Sequence, residues 1–299
     1  MKATEAIGSS SEPPHEQVES RPVIKSQTRL ERPVFGSRSA FERRLNLIVE
    51  MAVTQFRLKY TGSVLGYVWS LMKPLMIFAI MYIVFSKLLR VGNGSPNFAL
   101  QLLVAVVLWQ FFAETTAVGL QAIVGNANLI RKAYFPRGSL LVAATLTSFM
   151  TLAINLALIV LVFLPLGRLD VSWRTLLFLP LIAELYLLAL GASLVLSTLY
   201  VFFRDVAYIW EVTTQVLFYG SAVVYPLGFV PASIQRFIVL NPMAQIIEDI
   251  RHVLVTHRVP WAGSVLGPLW FAPLLIAALI MLVGWSAFKR WAPMFAENL

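Results

Sequence analysis

Glu248, Asp249 and His252 form the only close grouping of acids with a histidine in the apolar part of this sequence, at i, i+1 and i+4. Residues four apart share a helix face, so Glu248 and His252 can act on one bound molecule. A carboxylate beside an imidazole can accept and return a proton during transfer of a sugar or acyl group. Such an enzyme also needs a complete constellation around the substrate, and the chain offers little toward one. It contains no cysteine, no HExxH, no GxSxG and no GxxxxGK[ST] phosphate loop. It therefore lacks the usual means of binding and hydrolysing ATP. The three histidines are His15, His252 and His257, one of them in a polar leader, so no metal site is expected.

Three further acids, Glu114, Glu184 and Glu211, lie inside long apolar stretches. An ionisable group there is costly and marks a pathway or a partner. Glu184 falls nearest the middle of its stretch and is the strongest candidate to line a channel.

The elements that carry these groups are set by composition. Gly138–Gly167 and Val259–Phe288 each run 30 residues without an Asp, Glu, Lys or Arg. At about 1.5 Å per residue, about 20 residues cross a hydrocarbon core of about 30 Å. Hydrophobic residues make up 58% and charged residues 13%, about half the charge of an ordinary soluble domain. The chain reads as an all-α integral membrane protein with six spans. They cover about Trp69–Leu89, Asn97–Val124, Gly138–Leu164, Trp173–Tyr200, Tyr208–Tyr225 and Gly267–Arg290. In the first, Lys73 and Lys87 must snorkel toward the headgroups.

Residues 1–38, rich in Ser, Pro, Glu and Arg, read as a disordered cytoplasmic tail without a secretory signal. Residues 39–60 place Phe41, Leu45, Ile48, Ala52 and Phe56 on one helical stripe, with Arg43, Glu50 and Arg57 opposite. That spacing describes an amphipathic helix in the membrane interface, with packing against the other membrane helices as the competing outcome. Residues 61–299 form the transmembrane domain.

Charge sets the expected orientation. The net charge is +9, and ten of the 24 Lys and Arg precede Gly62, facing an anionic leaflet rather than nucleic acid. With the N-terminus inside, 17 Lys/Arg fall on the inner segments and seven on the outer ones, placing both termini in the cytoplasm. Between spans five and six, Pro226, Pro231, Pro242 and Pro260 separate apolar pieces too short to span. This segment reads as a re-entrant hairpin on the outer face, acting as a gate with Pro226, Pro231, Asn241 and Pro242 as its residues, or else as an ordinary folded external loop.

Four motifs follow one another along the chain. The first is Gln55–Trp69 followed by Lys73-Pro74, where a basic helix meets glycines and then an aromatic span start. The second is the basic segment Asn126–Arg137. The third is Phe203-Arg204-Asp205-Val206, whose charges are expected to form a local ion pair. The fourth is Ser221-Ala222-Val223-Val224-Tyr225-Pro226, continuing to Val230-Pro231 and Asn241-Pro242-Met243. In this order they resemble the membrane subunit of ABC-2-type polysaccharide exporters over about residues 41–290. Ala222 departs from the family's Ser-Pro-x-x-Tyr-Pro pattern.

The resemblance implies a permease without an ATPase site of its own, exporting a lipid-linked cell-envelope polysaccharide across the bacterial cytoplasmic (inner) membrane. It implies two copies of this chain and two copies of a nucleotide-binding ATPase subunit that holds the ATP and Mg, so this chain binds no cofactor itself. Asn128, Leu129, Ile130, Arg131, Lys132, Tyr134 and Phe135 would be the ATPase-coupling segment. Arg43, Arg57 and Lys59 would meet the anionic head of the substrate or of membrane lipids. Trp69, Tyr219 and Tyr225, with Glu184, would be channel candidates, since aromatic rings suit the apolar faces of sugars. An ABC-2 permease for a drug or other lipid shares this architecture. An integral-membrane glycosyl- or acyltransferase is the reading of a different class, resting on Glu248, Asp249 and His252.

Overall fold

A computed structural model describes residues 40–62, 66, 68–90, 97–132, 136–256 and 259–299. The expected tail, residues 1–38, lies outside them. Most of the described residues are helical, with no strand among them. The helices are α1 Ala40–Tyr60, α2 Val68–Tyr82, α3 Phe98–Gln121, α4 Ala127–Lys132, α5 Arg137–Phe163 and α6 Phe178–Phe202. They continue with α7 Val206–Gly220, α8 Ala232–Leu240, α9 Pro242–Leu254, α10 Ala262–Leu266, α11 Ala272–Trp291 and α12 Phe295–Asn298.

Among the described residues, five helical segments are long and apolar enough to cross a membrane: Val68–Leu88, Phe98–Gln121, Arg137–Phe163, Trp173–Phe202 and Ala272–Asn298. They match five of the six expected spans to within a few residues, apart from the sixth, which extends past Arg290 by eight residues. The fifth expectation, Tyr208–Tyr225, fares differently. Its helix, α7, has 15 residues and stops at Gly220, a rise of about 22 Å. Ser221–Tyr225 leave the helix, and Ala222 turns the backbone left-handed at φ 52°.

α3 is the centre of the bundle. Phe98 and Leu100–Trp109 are all buried, as befits a helix that is apolar on every side. Glycine and serine let its neighbours come close. A Cβ at Gly119 of α3 would lie 2.5 Å from Ser193 of α6. Ser193 Oγ in turn donates to the Thr115 and Ala189 carbonyls. α6 meets α11 the same way: a Cβ at Gly284 would lie 2.4 Å from the Gly191 carbonyl oxygen. Small residues at crossings allow this approach and the dispersion contact that holds helices together in lipid.

α1 divides along its length. Phe41 and Leu45 are exposed, whereas Ala52 is fully buried and its carbonyl accepts from Thr147 Oγ1 of α5 at 3.2 Å. The packing outcome allowed by the stripe therefore occurs over part of the helix. Packing on α5 holds its second half.

Candidate functional site

The polar groups singled out in the sequence fall into four places. The first is a cleft of about 720 Å³ between α3 and α7. Trp109, Gln121, Tyr208, Glu211, Gln215 and Tyr219 are among its walls. No residue of α7 is buried, and Tyr208 and Tyr219 are largely exposed. Tyr225 stands beyond the helix end, where its hydroxyl donates to the Tyr219 carbonyl at 2.9 Å. Two channel candidates, Tyr219 and Tyr225, thus sit together. Trp69 does not join them; it lies half-exposed at the start of α2.

The second place is a cavity of about 700 Å³ between α1, α2, α3 and α5. Lys59, at the end of α1, forms an ion pair with Glu114 of α3. Lys59 Nζ also lies 3.5 Å from Thr151 Oγ1, and Ser148 Oγ lies 3.4 Å from Glu114. Arg43 and Arg57 are exposed on α1 outside this cavity. Of the three predicted headgroup cations, Lys59 alone lines it. Sequence distance hid the ion pair, since its partners are 55 residues apart.

The third place is α9. Asn241-Pro242 starts it as local chemistry prescribes: Asn241 Oδ1 accepts from Met243 N, and proline takes the first helical position. Arg251 is fully buried and bonds with Glu248 at 2.6 Å. Its remaining donors reach the carbonyls of Gln101 on α3 and of Ala222 and Val223 beyond α7. Proline could not adopt the left-handed φ at Ala222; alanine does, and presents its carbonyl to Arg251. Burial pushes the Glu248 carboxyl above the usual carboxylate range, with Arg251 pulling it back. Burial also raises Asp249, opposed by the bonds from Gln245 and the Ala262 amide and by His252.

Glu248, Asp249 and His252 do not converge on a shared open site. Glu248 is engaged with Arg251, Asp249 accepts from Gln245 and Ala262 N, and His252 Nδ1 bonds with the Val259 carbonyl. Glu184 of α6 is buried against the same helix, with Gln245 hydrogen-bonded to it and Asp249 nearby. Its Oε1 has no hydrogen-bond partner among the described residues. Arg251 was not legible as a core group, because nothing local tells which carbonyls will lack donors.

The fourth place is the segment around α4. Leu129 and Arg131 are exposed and Asn128 lies beside them, but Ile130 is buried in a cluster with Ile123, Leu140 and Phe295. Ile130 therefore anchors α4 to its own bundle. The Lys132 side chain and Tyr134 and Phe135 lie outside the described residues. At the next connection the expected Arg204–Asp205 ion pair does not form. Arg204 instead lies over the Tyr200 ring, 5.1 Å from its centroid.

Comparison with known proteins adds a family match. A family model described as ABC-2 type transporter matches residues 46–255. The chain is 28% identical over 255 residues to an O-antigen export system permease protein of Klebsiella pneumoniae, covering 85% of this chain and 95% of that protein. A protein of the same description from Myxococcus xanthus is 24% identical, with the same coverage. A polysialic acid transport protein of Escherichia coli is 19% identical, over 73% of this chain and 85% of its own length.

Proposed function

The chain belongs to the ABC-2 type transporter family, and we propose that it is the permease subunit of an ATP-driven exporter of a lipid-linked cell-envelope polysaccharide. One observation carries the reading: the similarity to O-antigen export permeases runs through 95% of their length, so it covers a whole permease rather than a shared fragment. The chain is a multi-pass membrane protein with no phosphate loop, and its energy comes from an ATPase partner that binds the ATP and Mg.

In this reading two copies of the chain pair with two ATPase subunits. α7 makes the sixth crossing, short as it is, because a second copy and the glycan cover the face it leaves open. The cleft beside Tyr219 and Glu211 then belongs to the glycan path, where aromatic rings meet the apolar faces of sugars. Trp69 and Glu184 remain candidates for that path. Pro226, Pro231, Asn241 and Pro242 shape an outer hairpin, α8 and α9, that closes it. α1 rides in the inner interface, with Arg43 and Arg57 facing anionic headgroups. Asn128, Leu129, Arg131 and Lys132, with Tyr134 and Phe135, face the ATPase. The positive-inside bias supports cytoplasmic termini, and the likeness to O-antigen export permeases supports the inner membrane.

The test is reconstitution of the chain with its ATPase in proteoliposomes. ATP should drive a lipid-linked glycan to the opposite leaflet, and the glycan should stimulate hydrolysis. Stimulation by a drug or an unglycosylated lipid, with no movement of glycan, would overturn the proposal.

A further inference from the structure

The cavity between α1, α2, α3 and α5 has the chemistry of an amphiphile site. At about 700 Å³ it lies within the range of small-molecule pockets. Its polar groups converge: Lys59, Lys73, Glu114, Ser148 and Thr151 all line it, and the two hydroxyl residues are buried. Along α2 its wall changes from cationic at Lys73 to apolar at Ile77 and Ile80, four and seven residues away, or about 6 and 10 Å. A charged head joined to a hydrocarbon chain matches that gradient; a free ion or a neutral hydrocarbon matches only half of it.

The two lysines are not equivalent. Lys59 is held by Glu114, whereas Lys73 makes no ion pair among the described residues. A cation that stays exposed at a membrane helix draws an anion of the surroundings to it. A phosphate oxygen placed there takes charge-assisted bonds stronger than neutral ones. It also competes with Glu114 for Lys59.

We propose that this cavity binds the phosphate head of a membrane amphiphile, Lys73 engaging it first and Lys59 exchanging Glu114 for it. The proposal deepens the export reading, since the polyprenyl-phosphate anchor of a substrate and a resident phospholipid share this chemistry.

The purified full chain in neutral detergent would be titrated with geranylgeranyl monophosphate, geranylgeraniol, short-chain phosphatidylglycerol and inorganic phosphate, and adducts counted by native mass spectrometry. One geranylgeranyl monophosphate per chain is expected, with the alcohol and inorganic phosphate each weaker by at least about tenfold. Tighter binding of the polyprenyl phosphate assigns the site to a substrate anchor; equal or tighter binding of phosphatidylglycerol assigns it to a resident lipid. Lys73→Ala should weaken binding by about tenfold, Lys73→Arg should restore it, and Glu114→Gln, which removes the carboxylate that competes for Lys59, should tighten it. Unchanged binding in both Lys73→Ala and Lys59→Ala, or an alcohol that binds as well as the phosphate, would overturn the proposal. Because the readout needs neither ATPase nor transport, loss of glycan export with binding intact counts against the export reading alone.

Discussion

Asn241 Nδ2 donates to Ser221 Oγ at 2.9 Å while its Oδ1 accepts from Met243 N at 3.0 Å. One amide thus caps α9 and moors it to the residue that follows α7. Arg251, ten residues on, ties the far part of α9 to the Ala222 and Val223 carbonyls just past that mooring. The short helix α9 is therefore fastened at two points to the end of α7. Any displacement of α7 must carry or break these bonds, so on the proposed export reading they would couple the outer hairpin to the glycan path.

Replacing Arg251 with Met should be severely destabilising. It leaves the Glu248 carboxylate buried without its partner, a loss of about 3–5 kcal/mol. Arg251→Met combined with Glu248→Leu should recover part of that loss, though the Gln101, Ala222 and Val223 carbonyls stay without their donor. Thermal unfolding in detergent measures both, and a double variant no more stable than the single one would contradict the ion-pair account.

Gly284→Ala should loosen the α6–α11 contact. The new methyl would stand 2.4 Å from the Gly191 carbonyl oxygen, and overpacking of this kind costs about 1–3 kcal/mol. Gly125→Ala, where a Cβ meets nothing within 4 Å, is the control and should unfold at the parental temperature. Equal stability of the two variants would show that the crossing is less tight than it stands here.

The topology can be read with single cysteines, because the chain has none of its own. In intact inner membranes an impermeant thiol reagent added from outside should reach a cysteine at Ser233 and miss those at Ser10 and Asn298. Opening the membrane should expose the latter two. Labelling of Ser10 or Asn298 before opening would reverse the orientation.

Around α4, the exposed and buried residues should separate in function. Leu129→Ala and the pair Tyr134→Ala with Phe135→Ala should weaken capture of the ATPase, the pair by roughly a few kcal/mol on the scale of buried anchors. Arg131→Ala should matter less, and its effect should shrink at high salt. Ile130→Ala should lower thermal stability instead, because Ile130 packs beside Phe295 in the bundle. Pull-down of the ATPase alongside thermal unfolding distinguishes the two effects. Normal capture and export by the double aromatic variant would place the contact elsewhere.

Five spans were legible in the residues alone, because apolar length is a local matter and sets a crossing. The fate of the charges was not local. Arg251 is one of the seven Lys/Arg counted on the outer segments of the sequence, yet it is a buried charge of the bundle, because carbonyls 28, 29 and 150 residues away converge on it. Glu114 found Lys59 across 55 residues, and Arg204 took the Tyr200 ring in place of the neighbouring Asp205. The early stop of α7 likewise depends on the left-handed turn at Ala222, a residue with no preference for it. Helix formation is decided within a few turns of chain, and tertiary packing decides which buried donors and acceptors meet.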